Sequence, residues 1–219
     1  MPEGAAGRPP ALAMGADLGL QATAPRLVLA SGSSTRRALL ETAGLRFDAV
    51  VPLVDEAAVK SATRGAGGTP AQAALALARL KASTVTDPDC MVIGCDQILL
   101  CETTWYDKPA TMDEARRHLL GLRGREHTLV TAVVCMRGGQ LLWREAAAPK
   151  LRMRSFSASF LDAYLAAEGE ALLQTVGAYR LEGLGIHLFE SINGEHSAIL
   201  GLPLPGMLGF LRSSGVLKG

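Results

Sequence analysis

The sequence predicts an α/β fold, and three stretches carry that prediction. Leu27-Val28-Leu29-Ala30 is a short apolar run of strand type, followed by the small, mostly hydroxylated residues Ser31 to Thr35 and by a helix pattern, Ala38 to Ala43, that Gly44 can close. An Ala/Leu-rich helix pattern, Ala71 to Val85, leads to a buried-type strand, Met91 to Gly94. His127 to Phe156 combines β-rich composition, a Gly138-Gly139 turn and the charged alternation of a long hairpin arm, enough for a second lobe facing the first.

In the first stretch, strand, small-residue loop and helix form the geometry that aims free backbone N–H groups at an anion. Arg36 and Arg37 stand in the first turn, against the helix dipole, and an anionic ligand there would remove the conflict. A solvated arginine pair on an ordinary first turn is the competing reading. The loop is not a Walker A loop, because the spaced Gly-Lys-Ser/Thr pattern is absent.

Phe47 to Val51 reads as the next strand, running out to Val54-Asp55-Glu56, and Lys60 to Gly68 as a polar, Gly-rich linker. Asp55-Glu56 past a strand end is either a ligand site or a surface turn. Thr69-Pro70 caps the Ala71 to Val85 helix, whose apolar face is Ala74, Leu77, Ala78 and Ala82, with Lys81 near its end. Met91 to Gly94 ends in Cys95-Asp96-Gln97, and an Asp at the carboxyl end of a central strand is a candidate metal ligand or general base. Thr104 to Asp107 reads as a turn, and Thr111 caps a helix from Glu114 to Leu120 that stops at Gly121. Ser157 caps a helix from Ala158 to Ala167, Ile186 to Phe189 reads as a strand, Asn193-Gly194 as a turn, and Gly201 to Pro205 enters the last helix, ending near Arg212.

The composition bounds the function. With 219 residues, 48% hydrophobic and 20% charged, the chain is globular, and a net charge of +1 excludes a general polyanion coat but not a local basic pocket. No apolar run is long enough to span a bilayer. Cys90, Cys95, Cys101 and Cys135 lack zinc-type spacing and a disulfide framework, so they read as small core residues of a reduced, cytoplasmic protein. Residues 1–25, rich in Ala, Gly and Pro, read as a disordered tail, with Met14 as an alternative start; residues 26–219 read as one domain. His118, His127, His187 and His196 show no ligand-type pairing, and an aromatic content of 5% without a basic patch argues against nucleic-acid binding.

The polar residues at element ends are Ser31, Ser33, Arg36, Arg37, Glu56, Lys81, Asp96, Gln97, Lys108 and Glu182. Cations for phosphate and carboxylates for a divalent metal and for water activation are what hydrolysis of a nucleotide phosphoanhydride needs. Several motifs stand in order: LASGSSTRRALLETAG, VDE at Val54 to Glu56, ALARLKA at Ala76 to Ala82, IGCDQ at Ile93 to Gln97, DKP at Asp107 to Pro109, GAYRLEGLGIHLFESINGE at Gly177 to Glu195 and GLPL at Gly201 to Leu204. On these motifs the chain, from about Arg26 to its C-terminus, resembles the Maf family of nucleoside triphosphate pyrophosphatases, historically called septum formation proteins. It departs from the family at Ser34, where Pro is usual, at Thr35, where many members have Arg, and in the loosely matched Glu195-His196-Ser197.

The resemblance implies an elongated mixed sheet flanked by helices, two lobes around a central cleft, and similarity to the inosine triphosphate pyrophosphatase fold. It implies conversion of a nucleoside triphosphate and water to the monophosphate and pyrophosphate with Mg²⁺ or Mn²⁺, by a homodimer. Asp96 matches the family's general base; Ser31, Ser33, Arg37, Glu56, Lys81 and Lys108 match its active-site positions, with Arg36 a neighbouring candidate. Glu56 and Asp96 are the metal candidates, and for Asp96 the roles of base and ligand both stay open. Gln97 and Glu182 resemble the 7-methyl-GTP subgroup, where the dTTP/UTP subgroup has Thr and Gln. A carboxylate suits the paired donors of guanine, an amide the mixed edge of uracil or thymine. Trp105 and Tyr106 are base-stacking candidates or packing residues. The alternatives are a dTTP/UTP pyrophosphatase of the same family, a phosphatase or kinase with a non-standard phosphate loop, and a non-catalytic nucleotide-binding regulator of cell division.

Overall fold

The computed structural model describes residues 19–219. Strand β1 (Arg26–Ala30) lies inside the sheet, parallel to β2 (Asp48–Val50) on one side and to β3 (Cys90–Cys101) on the other. Leu27, Val28, Leu29 and Ala30 are all buried, the near-continuous apolar run that a parallel strand covered on both faces requires. Helices α1 (Ser34–Thr42), α2 (Glu56–Gly65) and α3 (Pro70–Ala82) connect these strands.

The rest of the sheet is antiparallel. β3 pairs with β4 (Thr104–Tyr106) and with β5 (Glu126–Arg137), and β5 shares its other edge between β6 (Gln140–Ala147) and β7 (Lys150–Met153). β7 then pairs with β8 (Phe189–Asn193), closing an eight-stranded mixed sheet. Helices α4 (Met112–Leu122), α5 (Ala158–Glu168), the short α6 (His196–Ile199) and α7 (Leu204–Ser213) complete the fold, with three 3-10 segments between Gly169 and Leu188. This is the mixed α/β architecture expected from the sequence. One apolar cluster gathers Leu99, Leu119, Leu129, Leu151 and Leu165, while two others pack on opposite faces of β1 and β3. The long strands β3 and β5 join these two halves.

Register explains where the site lies. The β1–β3 pairing ends at Ala30↔Gly94, and the β3–β4 pairing begins at Leu99↔Tyr106. Between them, residues 95–98 of β3 pair only with β5, leaving a notch in the sheet. Gly94 lies against α3 so closely that a Cβ there would stand 2.1 Å from the Ala78 carbonyl oxygen. The small face of α3 (Ala74, Ala78 and Ala82, all buried) permits that approach.

Several elements differ from expectation. Lys60 to Gly68 is not a linker: α2 occupies most of it, started by Asp55, whose side chain accepts from Ala58 N at 2.9 Å. Its one buried residue is a lysine, Lys60. Asp96 is not at a strand end, since β3 runs on through it to Cys101; what ends beside it is the parallel neighbour β1. Thr104 to Tyr106 is a strand rather than a turn, with the reversal at Glu102-Thr103. α4 continues through Gly121, which packs against the Tyr106 hydroxyl, and the left-handed Gly124 (φ 72°) follows its end. Pro149 splits the long hairpin arm into β6 and β7. Leu184–Leu188 is a 3-10 turn, so the last strand comes later, as β8.

The expected tail lies mostly outside the described residues, but Gln21 bridges Leu217 and its side chain bonds both backbone groups of Arg46 at 2.8 Å, so the ordered chain reaches N-terminal of Arg26. All four cysteines are free and buried. Among the described residues, no helix is long and apolar enough to cross a membrane.

His127 is 2% exposed, with Nε2 2.9 Å from the Tyr179 hydroxyl, and burial pushes its pKa down to about 4 from an ordinary 6.5. Below its ordinary value the unfolded chain takes up a proton that the folded chain refuses. Its contribution to stability is therefore full above that value, falls with pH and is lost at the depressed one, about 3 kcal/mol in all. Thermal melts across this window should fall more steeply for the parent than for His127→Gln; parallel curves would show that His127 is not the group responsible.

Candidate active site

The notch opens into a cavity of about 720 Å³, lined from both halves of the molecule. Where β1 ends, the chain turns through Ser31 and Gly32 into α1. Ser33 is the N-cap, accepting from Arg36 N at 3.3 Å, and no acidic residue stands in the first turn. Gly32, Ser33, Ser34 and Thr35 face the cavity, so the helix start is open to an anion. Ser31 is buried and accepts from Ser33 N at 3.3 Å and from Arg36 Nη1 at 3.2 Å. Arg36 also donates from Nη1 to the Cys95 carbonyl at 3.2 Å and from Nε to Gly201 O at 2.8 Å. One guanidinium thus ties the loop after β1 to the bare edge of β3 and to the segment before α7. Arg37, the next residue, is exposed and lies outside the cavity lining.

Lys81, Asp96 and Glu56 meet at the floor. Lys81 is 7% exposed; its Nζ lies 2.6 Å from Asp96 Oδ1 and 2.7 Å from Glu56 Oε1. The close packing of α3 on β3 at Gly94 brings the ammonium there. Asp96 is 3% exposed, and its Oδ2 is buried without a hydrogen-bond partner among the described residues. Burial pushes the Asp96 carboxyl up, outweighing the opposing pull of Lys81 and Arg36. For Glu56 the balance reverses: partial burial raises it, but Lys81, Lys60 and Lys108 together hold it below the usual range. Lys108, also on the wall, is lowered by burial, helped by Arg36 and Lys81 against the pull of Glu56 and Asp96. Lys60 pairs with Asp107, and lies 3.9 Å from Glu56.

The opposite wall comes from Gln174 to Glu182 and from Ile199 to Gly201. Glu182 accepts from the Thr35 hydroxyl at 3.3 Å, with Arg180 Nε at 3.9 Å. The nearly buried Glu168 carboxylate braces this segment on both sides of Glu182, accepting from Arg180 Nη1 at 3.0 Å and from Leu184 N at 2.9 Å. Gln97 lines the cavity with its amide turned to Thr131 and the carbonyls of Ala198 and Ile199. Trp105 and Tyr106 lie away from the cavity lining: Trp105 carries the Arg64 guanidinium 4.3 Å from its ring centre, and Tyr106 packs edge-on to His118.

Of the residues selected from sequence, Ser33, Arg36, Glu56, Lys81, Asp96, Gln97, Lys108 and Glu182 line one cavity, with Ser31 just behind its wall. Sequence reasoning missed Lys60, Glu168, Arg180 and Thr131. Arg180 lies inside the motif Gly177 to Glu195; Lys60 carries no signal in a stretch whose composition reads as a linker.

Fold and site define an α/β protein whose cavity gathers several cations, an open helix start and two carboxylates. The family model for Maf-like proteins matches residues 26–214, and the chain belongs to the Maf family. It is 51% identical over 194 residues to a nucleoside triphosphate pyrophosphatase of Granulibacter bethesdensis, covering 88% of this chain and 98% of the relative. A nucleoside triphosphate pyrophosphatase of Paramagnetospirillum magneticum is 48% identical over 192 residues, 87% of this chain and 99% of the relative. A 7-methyl-GTP pyrophosphatase of Rhizobium meliloti is 45% identical over 195 residues, 88% of this chain and 98% of the relative.

Because Arg36 serves acceptors on three separate segments, Arg36→Ala should cost about 2 kcal/mol of folding stability, and Arg36→Lys, which lacks the fork, should not restore it. Arg37→Ala should melt like the parent. Equal losses for the two arginines in urea titrations would contradict this division.

Proposed function

We propose that this nucleoside triphosphate pyrophosphatase takes 7-methyl-GTP as its substrate. The observation that carries the enzymatic reading is the buried Lys81 bridging Asp96 and Glu56 beside an open helix N-terminus. The polyphosphate lies along the α1 start and the cations Arg36, Lys60, Lys81 and Lys108. Water attacks the α-phosphorus, the bond from that phosphorus to the α–β bridging oxygen breaks, and pyrophosphate leaves. Asp96, whose buried Oδ2 has no hydrogen-bond partner among the described residues, takes the proton of the attacking water. The lysines and Arg36 offset the charge that grows on the phosphoryl oxygens.

The residues fit a divalent metal in one particular manner. Among the described residues there is no cluster of three or more His, Cys, Asp or Glu side chains able to hold a metal ion. Asp96 Oδ2, buried and unpartnered, and Glu56 supply two carboxylates. Mg²⁺ is commonly held by one or two carboxylates, with phosphate oxygens and waters completing its shell. Glu56 and Asp96 would hold Mg²⁺ or Mn²⁺, which supplies Lewis-acid polarisation of the phosphate.

The substrate preference rests on Glu182. Its carboxylate accepts from both donors on the guanine edge and favours the positive charge that methylation at N7 places on the base. Relatives of similar identity carry both the general and the 7-methyl-GTP name, and Gln97 and Glu182 in the cavity support the 7-methyl-GTP reading.

The test is a hydrolysis panel of 7-methyl-GTP, GTP, UTP, dTTP, CTP and ITP with Mg²⁺ and Mn²⁺, quantifying pyrophosphate and orthophosphate separately. Pyrophosphate release with preference for 7-methyl-GTP is expected; preference for UTP or dTTP would overturn the substrate, and orthophosphate release the reaction. Asp96→Asn should lower kcat by about a hundredfold or more while nucleotide still binds. Near-normal turnover would remove Asp96 as base. Glu182→Gln should narrow the gap between 7-methyl-GTP and UTP, and an unchanged ratio would remove Glu182 from specificity.

A further inference from the structure

Thr131 is completely buried in β5, opposite Gln97 on β3, and forms part of neither the phosphate loop nor the carboxylate cluster. We infer that Thr131 is a positioning residue for base recognition: with the carbonyls of Ala198 and Ile199 it locks Gln97 so that the side chain offers the cavity an acceptor and no donor. This rests on the reading that the nucleobase of a nucleotide occupies the part of the cavity beside Gln97 and Glu182.

Donor and acceptor rules fix the orientation. The Thr131 hydroxyl donates its one hydrogen to Ala198 O at 2.8 Å, so toward Gln97, 2.7 Å away, it can only accept. The Ala198 and Ile199 carbonyls, 3.2 and 3.0 Å from the same Gln97 atom, can never donate. An atom facing three acceptors must be the amide nitrogen; the reversed amide would set one oxygen against three others. Gln97 Oε1 has no hydrogen bond among the described residues and is not a sealed polar atom, so it is the polar end left for the cavity that Gln97 lines.

The strand supplies the direction. Neighbouring residues of a strand point to opposite faces. Asp96 turns to Lys81 on α3, and Gln97 turns to the carbonyls of α6, so the phosphate chemistry and the amide are separated across β3. Glu182, at the same cavity, is also an acceptor when ionised. A cavity wall with acceptors and no amide donor suits a base edge that carries adjacent N–H groups, as guanine does. It opposes uracil and thymine, whose two carbonyls flank a single N–H. With a free amide, Gln97 could rotate to suit either. Thr131 removes that freedom without touching substrate.

The experiment uses Thr131→Val, Thr131→Ser and Gln97→Glu in the full chain, with kcat and KM for 7-methyl-GTP and UTP and a thermal melt of each variant without nucleotide. Thr131→Val should reduce the parent's selectivity roughly three- to tenfold, through KM rather than kcat, and Thr131→Ser should restore it. Thr131→Ala reads the same change if the valine variant does not fold. Gln97→Glu places an oxygen against three acceptors and should lower the melting temperature markedly. A folded Thr131→Val with parental selectivity, or Gln97→Glu melting like the parent, overturns the lock. Should the parent itself prefer UTP, the proposed substrate falls, while the Gln97→Glu melt still decides the orientation independently.

Discussion

The contact on which the site depends is the approach of α3 to β3 at Gly94, where any side chain would collide with the Ala78 carbonyl. Had the helix stood a side chain's width further off, Lys81 could not place its ammonium between Asp96 and Glu56 at hydrogen-bonding distance from both. A buried lysine and a buried aspartate each carry a large desolvation cost, and each is tolerable only because the other is there. The Ala-rich face of α3 is therefore more than a stretch of good helix formers. Small residues at 74, 78 and 82 set the distance at which the pair can form.

A second constraint is the interruption of the sheet. β1 ends opposite Gly94 and β4 ends opposite Leu99, so among the described residues the edge of β3 between them lacks a strand partner. An unpaired edge inside a fold needs other donors. Arg36 answers part of this need at Cys95 O, and in doing so fixes α1 over the gap. The cavity is thus a consequence of strand length. β1 and β4 both stop short of this stretch and leave room for a ligand where Asp96 and Gln97 emerge on the two faces of β3.

What was legible in the sequence follows the range of the interactions involved. The loop from Ser31 to Arg37 is local: a strand, a capping serine and a first turn occupy consecutive positions, so its geometry could be read directly. The residues lining the cavity were legible as an ordered set of motifs. Their pairings were not, because Lys81 with Glu56 and Thr131 with Ala198 depend on how distant segments pack. α2 is hidden by composition: Lys60 to Gly68 is polar and Gly-rich, and the one residue the helix buries is Lys60. In the sequence β3 reads as ending at Asp96 because a charged residue inside an apolar run looks like an end. Here the charge is compensated by Lys81, so the strand continues.

The same compensation shows how the site is prepared before any nucleotide arrives. A guanidinium has five N–H donors. In Arg36, a residue of the cavity lining, Nε serves Gly201 and the two hydrogens of Nη1 serve Ser31 and Cys95, which leaves the two hydrogens of Nη2 without a partner among the described residues. The side chain is held by the protein on one side of its fork and offers the other. Gln97 is arranged in the same way, with its nitrogen spent on the wall and its oxygen left over. Groups fixed by their spent valences need no reorganisation when a ligand's charge appears beside them, and preorganisation of this kind is usually the largest electrostatic contribution an enzyme makes. Selectivity gains equally, because a group that cannot rotate cannot accommodate the wrong partner.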